Sequence, residues 1–410
     1  MDFIIFGKFS FNHIYFLFYA LCTLLPQIFR DILYKNKNTI SQNFYSMYIE
    51  ILSRFLAIIP YSINKKLSKS NKEKSKQSKI SSSELEVNYI YYDITKDLST
   101  SLMKSILKVC IFEFLAIFLI CIFYFINDKP EVIIIYPLQI YLIINTINQY
   151  LVSHFVLNYQ FYKHHYLSFG INIFCTLFFL ITDIIEIVDR GINDYQYYIY
   201  VLMRLIRLLL LALEDNYAKH ALYTQFLSPF SLMVYMAIIE TIFLLIISIP
   251  FIFIKTSDTN QIIFVDFIEY LQGSNLFLSF VILLSNFLFQ TFILVIIDRF
   301  SPSHLPLGFI IYSFCSNIYK IIKNAIYNEE NEWFLFTNFV LYIILFIGAM
   351  IHNEIFIINK WGFNKDTKLF LTYKLKEEKS SEDEEEDDAE NAEDKPGEKF
   401  IPLKEITNQD

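Results

Sequence analysis

Glycine is scarce in this chain, with eight residues among 410. None falls in a GxGxxG, GxxxxGK[ST] or GxSxG arrangement, so backbone loops that cradle phosphate or expose a nucleophilic serine are missing. Proline is limited to ten residues and tryptophan to two. The five cysteines, Cys22, Cys110, Cys121, Cys175 and Cys315, lie in apolar stretches without CxxC or Cys/His spacing. They read as small hydrophobes, neither disulfide partners nor metal ligands. HExxH is also missing, and His164, His165 and His304 lack the carboxylate arrangement of a metal enzyme. No catalytic activity and no cofactor is expected.

What the chain does have is apolar surface: 55% of residues are hydrophobic and 18% aromatic. That exceeds what a soluble domain needs and indicates a polytopic membrane protein. The 43 phenylalanines and 29 tyrosines accompany abundant Ile, Asn and Lys, the bias of an AT-rich coding sequence, so aromatic richness alone says nothing about ligands. The formal net charge of −8 is local in origin. Residues 377 to 394 hold twelve acids and one lysine, a local −11 that leaves +3 for the remainder. Such a self-repelling block lacks anything to bury and is expected to be disordered.

At ~20 apolar residues per crossing, the sequence gives ten spans: about 9–29, 43–63, 104–126, 133–158, 167–187, 195–219, 229–254, 275–298, 304–322 and 333–357. The predicted fold class is therefore all-α, a polytopic membrane bundle of about ten transmembrane helices. The first span is expected to remain uncleaved, because Asp2 and Lys8 cancel and leave no basic leader. Residues 1–63 hold the first two spans, 64–103 a loop, 104–358 the other eight, and 359–410 a tail that is acidic from about 377. Eight lysines between residues 64 and 99 mark that loop as cytosolic, and an even count then puts both termini in the cytosol. Without a nucleic-acid-binding fold around it, the loop suits anionic lipid at the cytosolic leaflet, and no nucleic-acid partner is expected. Ten spans permit two inverted sets of five. One internal match, H164xxL167xF169xI171xxF174C175 against H304xxL307xF309xI311xxF314C315, pairs the fifth span with the ninth, which is not the pairing inverted fives require. It reads as coincidence.

The sixth span carries Arg204 and Arg207 near its middle. Each central arginine costs roughly 2.5–3.5 kcal/mol, about 5–7 for the pair. Seven leucines and Ile206 within residues 202 to 213 offset only about 2.4–4.8 kcal/mol at ~0.3–0.6 each. Arg204, Arg207, Leu211 and Glu214 share one helical face, which therefore needs polar partners. Other spans hold matching charges: Arg54 in the second, Glu113 in the third and Glu240 in the seventh. These residues, with Gln149 and Gln290, are the candidates for a central substrate site. Arginine offers a planar fork suited to phosphate or carboxylate, and a buried glutamate suits proton coupling. The plainer alternatives are ion pairs that fix helix packing, including Glu50 with Arg54 at i, i+4, and interhelical hydrogen-bond glue from Asn145, Asn148, Gln149, Asn286 and Gln290. His154 reads as a packed donor.

The run Glu214-Asp215-x-x-Ala218-Lys219, then Ser228-Pro229-Phe230 and Glu240, resembles the sixth and seventh helices of nucleotide-sugar-transporter-like members of the drug/metabolite transporter superfamily. The ending Leu345-Phe346-Ile347-Gly348-Ala349-Met350-Ile351-His352-Asn353-Glu354 looks like that family's tenth helix. Thr241 stands where such proteins usually have glycine. The likeness covers about residues 100 to 365. It implies a solute carrier, a secondary transporter or exchanger of a small polar, anionic metabolite. The implied location is an endomembrane such as Golgi, endoplasmic reticulum or vacuole, with the plasma membrane as the alternative. The competing expectation is a non-transporting integral membrane adaptor or assembly protein that uses its acidic tail for recruitment.

Overall fold

The computed structural model describes residues 4–6, 14–34, 40–66, 100–126, 140–189, 195–224, 227–251, 253, 268, 274–327, 332–367 and 370. Most of the lysine-rich loop and nearly all of the acidic tail lie outside these residues.

Helix dominates, as long apolar runs demand when backbone groups must be satisfied within one segment. Among the described residues there are ten long helical segments. They are α1 (Ile14–Tyr34), α2 (Ile40–Arg54, continuing through a 3-10 turn at Phe55–Ala57 into helix over 58–66), α3 (Thr100–Ile126), α4 (Ile140–Leu157) and α5 (Lys163–Asp189). After these come α6 (Tyr195–Thr224), α7 (Pro229–Phe251), α8 (Ser274–Arg299), α9 (Leu305–Tyr327) and α10 (Glu332–His352). Two short strands, β1 (Ile4–Phe6) and β2 (Phe356–Ile358), pair antiparallel with Ile5 opposite Ile357. The chain before α1 and the chain after α10 therefore meet at one end of the bundle.

Local chemistry sets several boundaries. Pro229 opens α7, where its missing N–H has no use, and Ser228 Oγ accepts the Ser231 N–H at 3.1 Å as an N-cap. Asn158 ends α4 with φ 50°, the left-handed stop that asparagine tolerates. At the end of α10, Glu354 takes φ 56° while the Ile355 N–H returns to the Met350 carbonyl at 2.9 Å, a Schellman-type stop.

Four helices are long and apolar enough to cross a membrane, over Tyr45–Lys66, Lys163–Ile185, Pro229–Ile249 and Asn275–Arg299. Their outer faces agree with that reading. On α5, Phe174, Leu177, Phe178, Ile181, Ile184, Ile185 and Val188 form an exposed stripe at helical spacing, far more apolar surface than water tolerates. The 30-residue α6 reaches about 45 Å at ~1.5 Å per residue.

The helices follow one another in a closed circuit of contacts: α1, α8, α2, α7, α3, α6, α4, α5, α10, α9 and back to α1. Close approaches use two of the few glycines. A Cβ at Gly308 on α9 would lie 2.8 Å from Cε1 of the Tyr19 ring on α1 and nearer still to Cδ1. One at Gly348 on α10 would lie 3.0 Å from Ile171 Cγ2 on α5. The apolar core, including Phe16, Tyr19, Ile106, Leu232, Met233 and Ile297, fills the space between the helices.

Candidate functional site

Three charged side chains meet near the midpoints of α2, α3 and α7. Arg54 Nη1 donates to Glu113 Oε2 and to Glu240 Oε2, and Nη2 is in ion-pair contact with Glu113 Oε1. Each of the three side chains is at most 3% exposed. Planar, bidentate pairing of this kind is what arginine provides and lysine does not. One guanidinium faces two carboxylates, and Glu240 Oε1 has no hydrogen-bond partner. Glu214 and Glu50 also lie near enough to act on Arg54, so acids outnumber the one base here, and a proton or a cation would reduce the imbalance. The Cys110 thiol, fully buried one turn before Glu113, lies beside Glu240. Immediately after Arg54, α2 tightens into its 3-10 turn, with Ala57 completely buried. A mid-helix 3-10 stretch marks local strain or a hinge.

Polar side chains extend from this centre. Gln290 Nε2 on α8 donates to Glu50 Oε1 at 3.1 Å. The local Glu50–Arg54 neutralisation expected from i, i+4 spacing is therefore not the pairing formed, because Arg54 is turned toward α3 and α7. Gln149 Nε2 on α4 donates to Asp215 Oδ2 on α6, and Asn216 Nδ2 donates to Gln149 Oε1 at 3.3 Å. Ser153 Oγ donates to Asn216 Oδ1 at 2.8 Å, closing a buried α4–α6 network that spacing did not reveal. Lys219 Nζ reaches the Asp298 carbonyl at 2.9 Å, joining α6 to α8.

The two arginines of α6 sit elsewhere. Phe112 stacks on Tyr217 at 5.4 Å, a register that sets Glu113 against the Glu214 end of α6. Arg207 is seven residues from Glu214, about 10 Å along the helix. It is half-buried, and the glutamates expected to compensate it are engaged by Arg54. Arg204 Nε donates to Tyr200 Oη at 2.8 Å, and its guanidinium lies 5.5 Å from the Tyr141 ring centre and 5.2 Å from that of Tyr200. Aromatic faces hold such a cation within the protein.

A second cluster lies where β1 and β2 meet the bundle end. The start of α5 and the 3-10 turn at Pro302–His304, just before α9, bring His164, His165 and His304 around His352 at the end of α10. Ring centres are 4.0 Å apart for His164–His165, 4.6 Å for His165–His352 and 5.3 Å for His304–His352. The segments that open with His164 and His304 are thus both near His352. His164 Nε2 lies 3.6 Å from Glu354 Oε1. Burial, followed by the nearby Glu354, pushes the Tyr159 phenol in the α4–α5 connection up to about 12, so it stays neutral. One hydrogen bond removes His165 from any set of metal ligands. The Tyr162 N–H donates to His165 Nδ1 at 3.0 Å, which leaves the ring proton on Nε2 and no free lone pair. Among the described residues no group of three or more His, Cys, Asp or Glu side chains is arranged to hold a metal ion. No family model matches the chain, and no curated protein matches it either.

Proposed function

We propose that this protein is a secondary transporter or exchanger of a small polar, anionic metabolite, with the Arg54–Glu113–Glu240 group as its coupling element. The observation that carries the reading is the burial of three ionisable side chains, one base and two acids, halfway along three helices. Such a group is expensive in an apolar bundle and has an obvious use where a proton or cation must be bound and released. Arg207, about two turns along α6 from Glu214, is the proposed solute contact, with Arg204 beside it.

In this reading all ten helices cross the membrane as two inverted sets of five. The contact circuit supports this: exchanging every helix with the one five places later leaves the order of neighbours unchanged. Arg54 on α2 and Glu240 on α7 then occupy equivalent helices of the two halves, where transporters of this plan bind their ions and solutes. The pairing of β1 with β2 agrees with termini on a common face. The motif resemblance to nucleotide-sugar-transporter-like proteins points the same way, toward sugar nucleotides or other phosphorylated metabolites and toward an endomembrane.

One observation favours the non-transporting adaptor instead. The triad is closed to water, as a static packing device would be. Uptake by proteoliposomes separates the two readings. Sugar nucleotides, phosphorylated metabolites and amino acids are offered in turn, and saturable uptake of an anionic class is expected. Failure of all three classes with folded, correctly inserted protein would leave the adaptor.

A further inference from the structure

The geometry points to a binding site for a small phenol-type ring in the aromatic cavity beside His352, outside the central triad and independent of the transport reading. The cavity has a volume of about 250 Å³ and is walled by Tyr150, Phe161, Phe169 and His165, with His352 at its inner end. Leu151 and Tyr166, which are 45% and 62% exposed, form its mouth. At about 30 Å³ for a water-sized atom, the space suits about eight non-hydrogen atoms, one six-membered ring with a substituent or two.

His352 determines the chemistry. It is 1% exposed and lines the cavity, and neither of its ring nitrogens has a hydrogen-bond partner. A neutral imidazole carries one donor and one acceptor, and a buried polar group left unmet is unfavourable. Tyr150 stacks on one side of the ring at 4.6 Å, fixing its plane. At the rim, His154 Nδ1 must donate to the Tyr159 carbonyl, 3.0 Å away, so its Nε2 is an acceptor. A hydroxyl, able either to donate or to accept, meets one of the two His352 nitrogens whichever tautomer is present, while an aromatic ring matches walls that favour offset or edge-on packing. A hydrocarbon chain would fill the volume and leave both nitrogens unmet. A quaternary ammonium would suit the aromatic faces, but it has no proton to donate and finds no carboxylate on the cavity wall.

The test uses full-length protein in detergent micelles, with p-cresol and its hydroxyl-free counterpart toluene as probes, read by saturation-transfer NMR titration. Saturable p-cresol binding is expected, tighter than that of toluene. His352→Phe keeps the ring stack and removes both nitrogens. It should weaken p-cresol by about tenfold, the loss expected for one hydrogen bond, and leave toluene unchanged. Equal binding of the two probes to the parent protein, or an unchanged p-cresol affinity in His352→Phe, overturns the site in favour of a plain lipid-filled groove. Absence of saturable p-cresol binding overturns it outright. Should His352→Phe not fold, Leu151→Trp at the exposed mouth decides the matter: blocked p-cresol binding supports the site, and undiminished binding overturns it.

Discussion

Arg54→Met would keep most of the arginine stem's volume while deleting its charge, leaving Glu113 and Glu240 facing each other in a dry centre. Removing one partner of a buried ion group typically costs about 3–5 kcal/mol, because the remaining charge has neither water nor a counterion. At about 1.4 kcal/mol per tenfold, the folded fraction relative to the unfolded one should fall between about a hundred- and a few-thousand-fold. The triple variant Arg54→Met, Glu113→Leu, Glu240→Met removes every charge in the group. Apolar replacement of a whole buried ion group is often neutral or stabilising by about 1–4 kcal/mol, so the triple variant should match or exceed the parent. Heating in micelles, followed by the fraction that stays monodisperse, ranks the three proteins. Both variants should lose uptake in proteoliposomes, which separates coupling from stability. An Arg54→Met protein as stable as the parent would refute the charge balance described here. A triple variant as unstable as the single one would show that shape, not charge, governs the centre.

Arg207→Lys keeps the charge and loses the planar fork, so uptake should weaken at normal abundance, while Arg207→Leu should abolish uptake; normal transport by Arg207→Leu, or degradation of that variant, would reassign Arg207 to packing. Gly308→Ala would drive a methyl into the Tyr19 ring, which is fully buried, stacked on Phe289 at 5.5 Å and met edge-on by Phe309 at 5.3 Å, and a loss of about 1–3 kcal/mol is expected in the same heating assay. Cys110, fully buried beside Glu240, should react with a water-soluble thiol reagent only when the centre opens; labelling that changes rate with added solute supports cycling, and complete protection under all conditions favours the adaptor. Tags at the two termini should report one side of the membrane, and opposite sides would mean that the span count is wrong by at least one.

The positions of the helices were legible in the sequence because long apolar runs leave the backbone little alternative. The expected span at 275–298 lies within Ser274–Arg299, and that at 229–254 overlaps Pro229–Phe251 closely. The identity of Arg54, Glu113 and Glu240 as central residues was legible for a similar reason, since charges halfway along apolar runs must find one another. Which charge meets which was not. That depends on how far each helix slides along its neighbour, and here the stacking of Phe112 on Tyr217 fixes the slide between α3 and α6. The His352 cluster was illegible for a different reason. Its members come from the start of α5, the 3-10 turn before α9 and the end of α10, and the packing of α10 against α5 and α9 brings them together.

The 3-10 turn at Phe55–Ala57 gives α2 a property that a uniform helix lacks. A 3-10 residue advances about 2.0 Å and turns ~120°, against about 1.5 Å and ~100° in an α-helix. Rewinding these three residues as α-helix would shorten α2 by about 1.5 Å and swivel the segment over 58–66 by about 60° relative to Arg54. With the salt-bridged half of α2 held in place by Glu113 and Glu240, such a rewinding would turn the half beyond it like the free end of a screw.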